Sequence, residues 1–166
     1  MHLEEDVNSL LADLMAHMRW ADALVAEALM KSPPENTEAT RLFAHVASVE
    51  HLWYSRIEGR APDYAVWPAL SVEDSRTLAA RHADLFQALV DNPGAVALER
   101  VVAYRNSAGR DFTSAVSQII THVAMHGSHH RGQIAQSIRA SGQEPPYVDY
   151  IQFNRRYQPD QPNRSG

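Results

Sequence analysis

Four stretches of the chain repeat apolar residues every three or four positions, and each is bounded by proline or glycine. Such a pattern buries itself most simply as helix packed on helix. In the first stretch Leu3, Val7, Leu10, Leu14, Met18, Ala21, Val25 and Ala28 draw one stripe along a long helix. The prolines of KSPPENTE end it, because a pyrrolidine ring cannot continue the hydrogen-bond ladder. Asn36 or Thr37 is placed to cap a second helix, with Leu42, Val46, Val49 and Trp53 as its stripe and Gly59 as its stop. GRAPDYAVWPAL, with two prolines, reads as a loop. Ser71 followed by Asp74 resembles a capping box with Asp in place of Glu, opening a third helix lined by Leu78, His82, Leu85 and Leu89 and closed by DNPG. Thr113 is a fair N-cap for a fourth helix, whose stripe runs Val116, Ile119, Val123, His126, His130, Ile134 and Ile138, with Gly142 at its C-terminal cap.

One segment breaks the helical period. ALERVVAYRNSAGRDF sets Val101, Val102 and Tyr104 beside a turn-like NSAG, which predicts a short extended excursion before the last helix. The expectation is therefore an all-α chain, a four-helix bundle with helices of roughly 20 to 28 residues and mostly short connections. Residues 1–157 read as one domain, without internal repeat or boundary. The aromatic start of QEPPYVDYIQF looks ordered, whereas the polar tail 158–166 is expected to be disordered.

Composition narrows the function classes. A net charge of -5 supplies no basic field for a phosphate backbone, so no nucleic-acid partner is expected. The absence of cysteine removes disulfides, thiolate metal ligands and a cysteine nucleophile together. MHLEEDVNSLL carries acids where a signal peptide carries Lys or Arg, and no apolar run approaches the ~18 residues of a membrane span. A cytoplasmic location away from the membrane is the expectation.

The chemistry concentrates in THVAMHGSHHRGQIAQSIR, which holds His122, His126, His129 and His130 among the chain's nine histidines. Residues four apart on a helix lie nearly above one another, so His122, His126 and His130 share a face while His129 points away. Composition alone yields about half of one H-x-x-x-H per chain of this kind, but only about 0.03 of a run of three. His126 and His130 also sit on the stripe of Ile119, Val123 and Ile134, facing the bundle interior. Two adjacent buried imidazoles need partners, and these residues leave two answers open: a hydrogen-bonded pair in the core, or a metal pair. A metal needs a third ligand from another helix. His45 and His51 are six residues apart and cannot both face one site. His45 borders the apolar stripe and is preferred; His51 falls on a more polar face and reads as exposed, and His17, His82 and His129 read as surface or core-edge residues.

Gly127 and Gly132 stand inside the fourth helix, where each costs ~1 kcal/mol relative to Ala, so close approach of another group is expected at both. Arg131 is placed either to orient a carboxylate or to lie in solvent or at an interface, and Trp20 and Trp53 read as core. No general base is evident, since Glu50 lies about 140° around the helix from His45.

HVAMHGSHHRGQIAQSIRASGQEPPYVDYIQF, HVASVEHLWYSRI and HMRWADALV together resemble the DinB family of metal-dependent proteins, with His-Arg-Gly-Gln as the most specific element. The resemblance implies a four-helix bundle of the DinB/YfiT-like type, often a homodimer. It also implies a divalent ion, zinc or nickel most often, held by three histidines, which by position are His45, His126 and His130. His122, one turn outside the pair, is left to packing or to a hydrogen bond behind the ligands. Some relatives in the wider superfamily are thiol-dependent transferases or isomerases, so the resemblance implies a metal-dependent thiol S-transferase, isomerase or hydrolase acting on a low-molecular-weight thiol and a small electrophilic substrate. The alternative is a non-catalytic dimeric metal-binding or stress-response protein. The uncharged fourth helix before Arg131 is the expected dimer face.

Overall fold

The computed structural model describes residues 2–32, 37–92 and 98–156, with the backbone alone for 2–6 and 156. Four long helices, α1 (His2–Met30), α2 (Thr37–Glu58), α3 (Val72–Asp91) and α4 (Val116–Ala140), form the all-α bundle. A hairpin of β1 (Val101–Arg105) and β2 (Asp111–Ala115) precedes α4, and a short α5 (Tyr150–Arg156) follows it. Around the bundle the order is α1, α3, α2, α4, so α1 and α2 stand diagonally and barely touch. None of the described helices is long and apolar enough to cross a membrane.

Local chemistry accounts for the helix ends. Ser71 caps α3 by accepting the Asp74 N–H at 3.0 Å, and its hydroxyl donates to the Asp74 carboxylate at 2.6 Å. Gly59 stops α2 with φ +70°. At the end of α4, Gly142 at φ +82° donates to Arg139 O (2.9 Å) and Gln143 to Ile138 O (3.2 Å), the two bonds of a Schellman cap. Asn36, the glycine and proline of DNPG, the side chain of Leu3 and the tail 158–166 lie outside the described residues.

Three expectations need correction. On α1 the first half of the stripe is one position off: Val7 and Leu10 are exposed, while Leu11 and Met15 are buried. Both registers offer apolar residues there, so only packing against neighbouring helices selects one. Thr113 does not cap α4. It pairs with Ala103 in the hairpin, and α4 begins one residue after Ala115, whose N–H is accepted by the Gln118 side chain at 2.9 Å. Gly132 meets no neighbour: a Cβ there would find nothing within 4 Å.

The core falls into two apolar clusters. One gathers Leu11, Met15, Met18, Phe86, Val116, Ile119, Ile120 and Val123; the other gathers Val25, Leu29, Phe43, Leu78, Ile134 and Ile138. Each fully buried Phe contributes about 2 kcal/mol by area. Between the clusters lies a polar layer of Asp22 from α1, Glu50 from α2 and Arg131 from α4, all buried, in which Arg131 Nη1 donates to Asp22 Oδ1 at 2.8 Å. Arg131 does orient a carboxylate, that of Asp22. The C-terminal segment docks beside this end of α1: His17 Nε2–H donates to Val148 O (2.8 Å), and His17 and Trp20 both pack against the buried Phe153 ring.

Candidate metal centre

His45 on α2 meets His126 and His130 on α4, and one ring nitrogen of each lies within 4.8 Å of the others. The ring centroids are 5.0 Å (His45 to His126), 4.7 Å (His45 to His130) and 4.4 Å (His126 to His130) apart. The i, i+4 spacing on α4 brings two rings to one side, and α2 packs directly against α4 to supply the third.

Two of the rings are oriented by their second nitrogen. A carbonyl oxygen only accepts, so the 2.8 Å contact between His45 Nδ1 and Val66 O places the proton on Nδ1 and leaves Nε2 bare. His130 Nδ1–H likewise donates to the Gln133 side-chain oxygen at 2.6 Å, again leaving Nε2 bare. Fixing the tautomer through the other nitrogen is how histidine ligands are held in metal sites. The Trp67 indole stacks flat on His45 at 3.7 Å, and the Arg41 guanidinium covers the outer face of that indole at 4.3 Å.

Electrostatics favours neutral rings. Burial holds His126 down to about 3, with His130, His45, His122 and His129 adding like-charge repulsion. Burial also lowers His45, against the opposing bond to Val66, and lowers His130, against the bond to Gln133. Three neutral imidazoles are the donor set that zinc and other borderline divalent ions take. The ring nitrogens lie within 4.8 Å of one another, and two ~2.1 Å bonds at a tetrahedral angle span ~3.4 Å, so the residues fit the group once the rings close by about an ångström.

The other histidines separate clearly. His122 is exposed, its ring 5.7 Å from His126 and 5.1 Å from Trp53, outside the three-nitrogen group. His129 is exposed as expected. His51, expected at the surface, is 3% exposed and bonded to His82, itself 1% exposed, while His17 is buried beneath the C-terminal segment. A polar face of α2 is compatible with burial here because loop 60–71 covers it. Glu50 faces Asp22 and Arg131 rather than the histidines. The contributions of Val66 O, Trp67 and Gln133 escaped the sequence reading; only Gln133, in the His-Arg-Gly-Gln element, carried a signal.

An open groove of about 570 Å³ runs from His130 along α2 and α4, lined by Arg41, Trp67, Gln133, Gln136 and Ser137. A search of curated proteins finds no significant match. The family model described as DinB family matches residues 2–162, nearly the whole chain. With the His-Arg-Gly-Gln element on α4 and three histidines converging between α2 and α4, this chain belongs to the DinB family.

Proposed function

We propose that the chain holds one divalent ion, zinc or nickel, at His45, His126 and His130, and uses it in a thiol S-transferase or isomerase reaction on a small electrophile. The observation that carries the metal reading is the convergence of three ring nitrogens within 4.8 Å, with Nδ1 of His45 and of His130 already committed to oxygen acceptors. When bound, an ion with three protein ligands supplies a Lewis acid with a position open to a thiol or to substrate oxygen. The chain's own residues do the rest. Val66 O and Gln133 hold two rings in place, Trp67 shields one face of His45, and the groove beside His130 gives a small substrate a place to lie. Arg41, at the rim of that groove, is held in a bidentate pair by Glu38, which lines the same rim. A cytoplasmic setting, which supplies low-molecular-weight thiols, fits this reading.

One observation favours the non-catalytic alternative: the three-histidine group contains no carboxylate, and Glu50 is occupied in the core. Elemental analysis of protein purified without a histidine tag tests the metal, with about one ion per chain expected and loss expected in His45→Ala, His126→Ala and His130→Ala. Metal-dependent thiol consumption with electrophilic substrates supports the enzyme. Metal-dependent stability without turnover supports the alternative.

We also propose a homodimer with α4 at its interface. Thr121 to Gln136 on its outer side presents His122, Met125, Ser128, His129, Gly132, Gln133 and Gln136, exposed and without a formal charge when the histidines are neutral. A face that is small and uncharged suits close approach of a second copy.

A further inference from the structure

We propose that His51 and His82, a second histidine pair outside the metal centre, are positioning residues that clasp loop 60–71 onto α2 and thereby fix the ring of His45. The proposal rests on the reading of His45 as a ligand. Its geometry is a hydrogen-bond chain with both ends defined. At one end the Asp63 backbone N–H, which only donates, reaches His51 Nε2 at 2.9 Å. At the other, Leu78 O, which only accepts, lies 2.8 Å from His82 Nδ1. Between them His51 Nδ1 and His82 Nε2 are 3.1 Å apart. With one proton per ring, only one arrangement satisfies all three contacts: Asp63 N–H to His51, His51 Nδ1–H to His82, and His82 Nδ1–H to Leu78 O. Both rings are then Nδ1–H tautomers, and both are buried.

Residues 60–71 contain neither helix nor strand, so the loop is held by discrete contacts, from the Arg60 N–H on Ser55 O (3.0 Å) to Leu70 against the second apolar cluster. Its contacts with α2 are consecutive. Asp63 bonds to His51, Tyr64 packs edge-on to the His51 ring at 5.1 Å, Ala65 O accepts from the Ser48 hydroxyl, and Val66 O accepts from His45. Trp67 then stacks on His45. The three α2 positions, 45, 48 and 51, follow one ridge of the helix, and Pro62 and Pro68 bracket the segment that reads them. Without the clasp at Asp63, the Val66 carbonyl and the Trp67 indole lose the anchor that delivers them to His45. His51 touches none of the three candidate ligands, so its influence travels through the loop.

The test compares wild type with His51→Phe and His51→Gln, the latter keeping one donor and one acceptor. Amide hydrogen exchange of the metal-free proteins and zinc affinity, measured by competition with a chromogenic chelator, are read in parallel. In His51→Phe the amides of 60–67 should exchange at least tenfold faster while α1 and α4 keep their protection. Zinc affinity should fall about tenfold, the scale for removing a partner behind a ligand, with one ion still bound at saturation, and His51→Gln should recover part of both losses. Unchanged zinc affinity in His51→Phe overturns the proposal, as does weaker affinity with unchanged loop exchange. Should His51→Phe not fold, nitrogen-15 spectra of the unaltered protein decide: Nδ1–H tautomers on both rings support the clasp, and an Nε2–H tautomer on either overturns it. Failure of the wild type to bind zinc overturns instead the three-histidine reading, and is distinguished by the loop exchange and tautomers, which need no metal.

Discussion

Replacing glycine by alanine inside a helix ordinarily stabilises it, and α4 offers two such sites with opposite surroundings. At Gly132 the added methyl meets nothing within 4 Å, so Gly132→Ala should gain up to ~1 kcal/mol from helix propensity. At Gly127 it would lie 2.7 Å from Arg131 Nη1, 3.4 Å from Cζ and 3.5 Å from Nη2. The guanidinium must retreat by more than half an ångström to reach ordinary contact, roughly 0.7 Å. An exposed arginine would yield freely. Arg131 is 2% exposed, and the crowded nitrogen is the one that donates to the buried Asp22. Breaking a buried ion pair costs about 3 to 5 kcal/mol, which outweighs the ~1 kcal/mol of propensity. The net expectation for Gly127→Ala is a loss of about 2 to 4 kcal/mol, or roughly 5 to 15 °C in Tm for a chain of this size. Urea and thermal unfolding of metal-free protein measure both variants. Equal stability of Gly127→Ala and Gly132→Ala would refute the reasoning, since it requires that the Arg131 side chain relocate without disturbing Asp22.

The polar layer gives a second contrast. Burial, then the Asp22 charge, raises the Glu50 carboxyl well above its ordinary range against the pull of Arg131, which favours its neutral form. Glu50→Gln should therefore change stability by less than ~1 kcal/mol, whereas Asp22→Asn, which weakens the pair, should cost about 3 kcal/mol; a larger loss for Glu50→Gln in urea unfolding contradicts the protonated state. His82 sets a pH dependence: burial lowers it from 6.5 to about 4, so between those values the unfolded chain binds a proton that the folded chain refuses. Stability is present above pH 6.5 and should fall by about 3 kcal/mol from this residue alone as pH drops toward 4, and a His82→Phe variant with the same slope as wild type would count against it. The homodimer is checked by light scattering at micromolar concentration, where a mass of 18.6 kDa without concentration dependence means a monomer.

The helices were legible because a period of 3.6 is a property of one chain segment read by itself. Ser71, Gly59 and Gly142 mark ends for equally local reasons, and Val101, Val102 and NSAG marked an extended excursion before α4, though not its pairing into a hairpin. The three candidate ligands emerged from spacing on α4, from the stripe on α2 and from family resemblance. What stayed hidden involves contacts distant in sequence. The choice between Leu10 and Leu11 depends on which neighbour presses on α1. The burial of His51 depends on a loop whose path no periodicity encodes. The cause of Gly127 is the Arg131 side chain one turn later, and only the inward course of that side chain toward Asp22 makes the glycine necessary.

That inward arginine has a mechanical consequence for the ligand beside it. His130 and Arg131 are neighbours, so the helix sets their side chains about 100° apart around its axis. One is drawn to the bundle interior by Asp22, and the other is thereby aimed at the seam between α2 and α4. Rolling α4 about its own axis to turn His130 away from the site would drag a guanidinium out of its only described ion pair, and sliding it by a turn would set that charge against apolar side chains of either cluster. The charged layer thus acts as a detent: it fixes the azimuth and height of α4, and the aim of the imidazoles on it is inherited from a bond made on another face of the helix.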